Sequence, residues 1–253
     1  MPLRETEPGF AGTAGVARRD ITPPVGIYAR NWGAARHDVA EGVHRRLLAT
    51  ALALGGDSGG PLLLLSLDLG WWRTDEDELR MRRALLERTG LDESRLLVAL
   101  SHTHAGPSIC RDDRVQPGGE LIEPYLEFLE RELSEVCAEA LAGRRPAVVT
   151  WGVGRSPLAR DRDLSEGGRQ LCGFNPEAPA DDTLVVGRVA TPGGAVLATL
   201  VNYACHPTTL ASTTGCSRPT TWGRCARLWR AVPGARPASS CRGRRASSAP
   251  VRG

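Results

Sequence analysis

The sequence predicts a domain that mixes helices with strands, an α/β or α+β core. Three observations point there. Short apolar runs bounded by Gly and Pro recur along the first 211 residues. Two pairs of these runs are joined by Gly-rich turns, a hairpin signal that argues against a purely parallel sheet. Two longer stretches carry apolar residues at helical spacing.

Taken in order, Gly12 to Thr22 reads as a first strand, stopped by Pro23-Pro24. Leu47–Leu54 and Leu62–Leu69 are apolar runs on either side of a turn from Gly55 to Pro61. Thr74 and Asp77 form a capping box, and the helix that follows, through Leu79, Arg82, Arg83 and Leu86, stops at Gly90. Arg95–Ser101 is a short apolar strand. Ile122–Leu141 places Leu126, Leu129, Leu133, Val136 and Ala140 on one helical face, closed by Gly143. Ala147–Val153 is another strand, and Thr183–Ala190 and Ala195–Ala204 flank a Pro192-Gly193-Gly194 turn. No internal repeat is present.

The composition limits the classes open to the chain. Its 253 residues, 41% apolar and 24% charged, suit one large globular domain or two small ones, with room for a core. No apolar run reaches the roughly 18 residues of a membrane span, so no transmembrane segment is expected. Met1 to Gly15 lacks a basic segment followed by an apolar one, so no secretory signal is read and a cytoplasmic location is expected. All 32 basic residues are Arg. Residues 1–211 hold 23 of them with all 29 acids, a net of −6; residues 212–253 hold nine and no acid, a net of +9. The overall +3 therefore comes from the tail, and nucleic acid is not an expected partner. Seven cysteines with no CxxC spacing are expected to be reduced thiols.

Five histidines are present. His102 and His104 lie in Ser101-His102-Thr103-His104-Ala105-Gly106-Pro107, directly after a strand. Alternation in an extended segment puts both imidazoles on one side. Asn202-Tyr203-Ala204-Cys205-His206-Pro207-Thr208 repeats the arrangement, an apolar strand followed by His and then Pro. Imidazole is the usual zinc ligand, and two histidine-bearing strand ends are compatible with a metal site or with ordinary polar surface. HExxH, GxSxG, a Walker A loop and a GxGxxG after a strand are all absent.

The body resembles the N-terminal domain of the neutral/alkaline non-lysosomal ceramidases. The resemblance is carried by Ala14 to Pro24, Glu41-Gly42-Val43-His44, Ser66 to Gly70, Ser101 to Pro107, Arg155-Ser156-Pro157 and Asn202 to Thr209, in order, over about residues 12–211. It implies an α+β fold, mixed β-sheets flanked by helices, with a metal site at strand ends and incomplete at the C-terminus. It implies a zinc amidohydrolase acting on the N-acyl bond of ceramide or a related lipid amide. His102 and His206 match the family's zinc-binding histidines. His104 is then expected to line the site, and His44 and Arg155 to contact polar groups of the substrate. Zinc acidifies bound water and polarises the amide carbonyl, and a nearby His suits proton delivery to the leaving amine. The family completes its zinc site with a Glu and a Tyr from later in the chain, and many of its members that meet lipids are exported.

Here no acid follows Asp182, and Tyr203 is the last tyrosine. From about Ser212 the sequence turns rich in Arg, Cys, Ser and Pro, with no amphipathic pattern. With suitable synonymous codons, a one-base shift converts Thr220 to Cys225 into Asp-Tyr-Val-Gly-Ala-Met. It likewise converts Cys241 to Pro250 into Leu-Gln-Gly-Ala-Ser-Gly-Glu-Leu-Gly-Pro. Both resemble family segments in the expected order. The expectation is a partial ceramidase-like domain over 1–211 and an out-of-frame, disordered tail over 212–253. Such a truncated chain is expected to be weakly active or inactive. Two other classes stay open: an HxH-type metallohydrolase of small amides or esters, and a non-catalytic binding protein with a basic tail.

Overall fold

The computed structural model describes residues 4–5, 9–33, 35–56, 59–207 and 216–217. Apart from Cys216–Ser217, the tail and its expected change of frame lie outside the described residues. The strands in chain order are β1 (Arg4–Glu5), β2 (Phe10–Asp20), β3 (Gly42–Val43), β4 (Leu48–Gly55), β5 (Leu62–Leu67) and β6 (Leu96–Leu100). They continue with β7 (Arg145–Arg155), β8 (Asp163–Glu166), β9 (Arg169–Cys172), β10 (Thr183–Ala190), β11 (Val196–Tyr203) and β12 (Cys216–Ser217). The helices are α1 (Asp75–Thr89) and α2 (Ile122–Ala142).

One large mixed sheet runs β11-β10-β7-β2-β4-β5-β6, with β1 paired to β7. All neighbours are antiparallel except β5 and β6, which are parallel and joined across α1. The fold is thus the expected α+β arrangement of a mixed sheet with helices. The hairpin between β4 and β5 and the hairpin between β10 and β11 both form where the turns predict them.

The period of two sorts each strand into two faces. Ala49, Ala51 and Ala53 of β4, with Leu63, Leu65 and Leu67 of β5, face the helices. They pack there against Leu126, Leu129, Leu133 and Val136 of α2 and against Met81 and Leu85 of α1. Small alanines on β4 let α2 settle close. At Gly15 of β2 a β-carbon would collide with the Ala140 carbonyl of α2, so only glycine allows that approach. The start of α1 follows its capping box: Thr74 Oγ1 accepts from the Asp77 amide at 3.3 Å and donates to the Asp77 carboxylate at 2.8 Å. Gly90, at φ +66°, closes α1 by donating its amide to the Leu86 carbonyl. Gly143 caps α2 without entering the left-handed region.

The opposite face explains how the sheet positions a site. Leu52 of β4, Ala14 of β2, Val149 of β7, Val189 of β10 and Leu197 and Ala198 of β11 form a second apolar cluster, with Leu64 of β5 and Leu200 of β11 packed on it. β5 and β6 are far from β11 in sheet order, yet residues of all three line one groove, so the sheet curls back on itself. The curl brings the two edge strands, β6 and β11, to opposite sides of one apolar groove of about 450 Å³. Between β7 and β10 the chain makes an excursion, residues 156–182, that carries the small β8–β9 hairpin. Sequence patterning does not mark this hairpin, because its residues are almost all exposed and lack alternation.

Candidate metal centre

The chain leaves β6 at Leu100 and β11 at Tyr203, and each exit carries histidine. The ring nitrogens of His102, His104 and His206 all lie within 4.8 Å of one another. Ring centroids are 5.1 Å apart for His102 and His104, and 4.9 Å for each of the two pairs with His206. Two aromatic walls surround them. Trp32 sits 4.5 Å from His104, and Trp71 lies 4.9 Å from His102 and 5.1 Å from His104, centroid to centroid.

The segment from His102 to His104 is not extended, contrary to the expectation from alternation. His102 has φ +56°, and it is the one non-glycine residue with positive φ among the described residues. That turn of the backbone, rather than strand periodicity, swings the two imidazoles together. A left-handed conformation at a residue with a β-carbon is held only when its surroundings over-determine it. Here Ser101 donates its amide to the Leu67 carbonyl and Thr103 donates to the Leu69 carbonyl, on either side of His102. Asn31 adds a second anchor, donating through Nδ2 to the Gly106 carbonyl at 2.8 Å and to the Pro107 carbonyl at 3.3 Å.

Asn31 also fixes the protonation of His104. The His104 Nδ1 lies 2.7 Å from the Asn31 carbonyl oxygen, which can only accept, so Nδ1 carries the proton. The Nε2 lone pair then faces the cluster, where His206 Nε2–H donates to it at 2.8 Å. A backbone carbonyl on the outer nitrogen is the usual way a ligating imidazole is oriented. Moving the His206 proton to Nδ1 turns both Nε2 lone pairs inward, which is what a metal ion needs.

Electrostatics favour neutral rings. Burial pushes all three histidines below their ordinary range. For His206 the value falls from 6.5 to about 4, through burial first, then the positive charge of Arg162 and the two neighbouring imidazoles. Native His206 therefore stays neutral over the interval in which an unfolded chain takes up a proton. Its contribution to stability is present above pH 6.5 and is lost as pH falls from 6.5 towards about 4. The expected result is that His206→Gln flattens this acid sensitivity, measured as the urea midpoint at neutral and at mildly acidic pH. An unchanged slope would contradict the assignment.

The cluster can hold a metal ion. One ring nitrogen from each of the three neutral imidazoles can turn a lone pair toward a shared ion. His104, expected from the sequence only to line the site, belongs to the donor cluster itself. His44 does not join that cluster. His44 lines a separate concavity with Asp20, Thr22, Val43, Arg45, Arg46 and Phe128. The Arg155 guanidinium, 78% exposed, pairs with Asp182 at 2.8 Å. Cys110, Cys137 and Cys172 make no disulfide among the described residues. No described helix is long and apolar enough to cross a membrane.

The mixed sheet and its helices form a neutral ceramidase-like fold. Two solved structures share it: the neutral ceramidase from Pseudomonas aeruginosa, with a TM-score of 0.66, and a ceramidase complexed with C2, with a TM-score of 0.64. Each is 19% identical to this chain, and each alignment covers 83% of it. The chain spans about a third of their length, 34% in both cases. Comparison with protein-family models gives no match, and comparison with curated proteins gives none.

Proposed function

We propose that the site is a zinc-dependent amidohydrolase centre for the N-acyl bond of a lipid amide, ceramide or a close relative. The observation that carries this reading is the convergence of three neutral imidazoles beside an apolar groove, with His102 belonging to both. Leu64 and Leu97 line one side of the groove and Val201 the other, and His102 and Tyr203 also line it. Leu97 is 54% exposed, an apolar surface open to an acyl chain. The similarity to solved ceramidases supports the same chemistry.

In this reading His102, His104 and His206 hold the ion. Zinc, when bound, supplies Lewis-acid polarisation of the acyl carbonyl and acidifies water. The groove takes the alkyl chain and leaves the amide carbonyl beside His102. Trp32 and Trp71 shield the cluster from bulk water, which strengthens charge interactions there. The Asn31 carbonyl keeps the His104 proton on Nδ1 and so keeps its inner nitrogen a donor.

The test pairs zinc titration of the full chain with hydrolysis of a fluorogenic N-acyl amide offered with long and short acyl chains. One equivalent of zinc and turnover that requires both zinc and the long chain are the expected result. Turnover insensitive to chelation would overturn the metal assignment. Equal turnover of short acyl amides would move the reading to a small-amide metallohydrolase.

A further inference from the structure

Three aspartates are buried among the described residues: Asp68, Asp77 and Asp113. The Asp68 carboxylate accepts from the Leu48 amide of β4 at 3.0 Å. Asp77 accepts from Thr74 at the start of α1 and pairs with Arg111. Asp113 differs, because its carboxylate ties together two segments that reach the histidine cluster. It sits in the short 3-10 turn Arg111–Val115. Its Oδ2 accepts from the Ser108 hydroxyl at 2.6 Å and from the Arg73 guanidinium. A carboxylate so little exposed keeps its charge only when it is paired and hydrogen-bonded, and each partner is costly to lose.

Both partners lead to the site. Arg73 lies two residues beyond Trp71, the ring that packs on both His102 and His104, at 4.9 and 5.1 Å between centroids. Ser108 follows directly on Pro107, in the loop that runs on from His104. The Ser108 amide donates to the Tyr28 carbonyl at 2.8 Å. Three residues after Tyr28 comes Asn31, whose side chain holds the Gly106 and Pro107 carbonyls and whose own carbonyl accepts from His104 Nδ1. The Cys110 amide donates to Ser108 Oγ at 3.2 Å and closes the turn. One buried carboxylate therefore joins the segment that carries Trp71 to the loop that follows His104, and the segment with Asn31 and Trp32 is fastened to the same loop.

We infer that Asp113 is a positioning residue for this centre: through Arg73 and Ser108 it holds Trp71 and the His104 loop in the places where the three ring nitrogens converge. This rests on the proposed metal-centre reading and adds a residue outside the donor trio on which its geometry depends. The charge is the essential part. Asn at position 113 has the same shape and can still accept from Ser108, yet it offers the Arg73 guanidinium a neutral acceptor in place of a carboxylate, and charge-assisted bonds are about twice as strong as neutral ones.

The experiment is fluorine NMR of the full chain labelled with fluorotryptophan, paired with zinc competition against a chromophoric chelator. The resonance missing from Trp71→Phe belongs to Trp71. Asp113→Asn is expected to shift that resonance in the zinc-free chain and to weaken zinc about ten-fold, the lower end of what loss of a group supporting a metal ligand costs. Arg73→Gln should shift the Trp71 resonance in the same direction and weaken zinc by less. Arg73→Lys, which keeps the charge, should retain most of the parent spectrum. Leu129→Ala, which opens a cavity under α2, should leave both readouts unchanged, and this separates positioning from a general loss of stability. A Trp71 resonance that stays in place in Asp113→Asn and Arg73→Gln overturns the inference, as does an equal shift in Leu129→Ala or a parent zinc affinity in Asp113→Asn. Should Asp113→Asn fail to fold, Arg73→Gln and Ser108→Ala carry the same two readouts. Failure of the metal reading registers separately, as a parent chain that takes up no zinc while its Trp71 resonance still answers to Asp113→Asn.

Discussion

His206→Ala is expected to lower zinc affinity by about 100-fold or more, beyond what loss of an outer-shell partner costs. The side chain contributes one of three converging ring nitrogens, and among the described residues no other His, Cys, Asp or Glu joins that group. His102→Ala and His104→Ala should each behave the same way, since a site left with two imidazoles has no described donor to recruit. Competition with a chromophoric chelator near neutral pH measures the effect directly. Full affinity in all three variants would leave the cluster as a hydrogen-bonded histidine group with no metal role. A loss confined to His102 and His206 would return His104 to a residue that lines the site.

The largest effect on stability is expected at Leu129→Ala. Leu129 is fully buried in α2, on the stripe that packs against β4 and β5. Truncation leaves a cavity between a helix and a sheet that are each fixed by many other contacts, so collapse around it is limited. The expected cost is about 2–5 kcal/mol, read from urea unfolding with the m-value unchanged. Leu79→Ala on α1, where the side chain is 42% exposed, serves as the control, with an effect within about 0.5 kcal/mol. A Leu129→Ala chain that unfolds at the parent midpoint would mean that α2 does not close the core.

Most of this fold is legible in the sequence because the signals are local. Thr74 with Asp77 and Gly90 mark both ends of α1, and the hairpin strand Thr183–Ala190 has the bounds that its turn implies. The two metal-ligand candidates at strand ends, His102 and His206, are legible as strings. What the sequence does not show is what tertiary structure alone determines. The left-handed turn at His102 is not legible locally: histidine is enriched at positive φ, but only a few per cent of non-glycine residues adopt it, so the residue type does not announce it. The Asn31 carbonyl that orients His104 lies 73 residues away along the chain and acts through its backbone, so no residue type announces it. Arg155 is legible only as part of a string, and its pairing with Asp182, 27 residues further along, is settled by the tertiary structure. The exposed β8–β9 hairpin is hidden for a related reason: a strand that buries nothing leaves no period-two pattern.

The curl of the sheet has a consequence for the order of events during synthesis. His104 and His206 stand 102 residues apart in sequence, and they meet only because the last strand of the sheet folds back across the earlier ones. A nascent chain that has emerged only as far as Tyr203 owns two of the three donors, and the edge that carries the third is not yet in place. Closing so long a loop has an entropic cost that only the packing of β11 on the sheet offsets. The donor trio is therefore assembled last, after both helices and the central strands. Metal capture then reports that the curl has closed, and a bound ion would clasp the first half of the chain to its final strand.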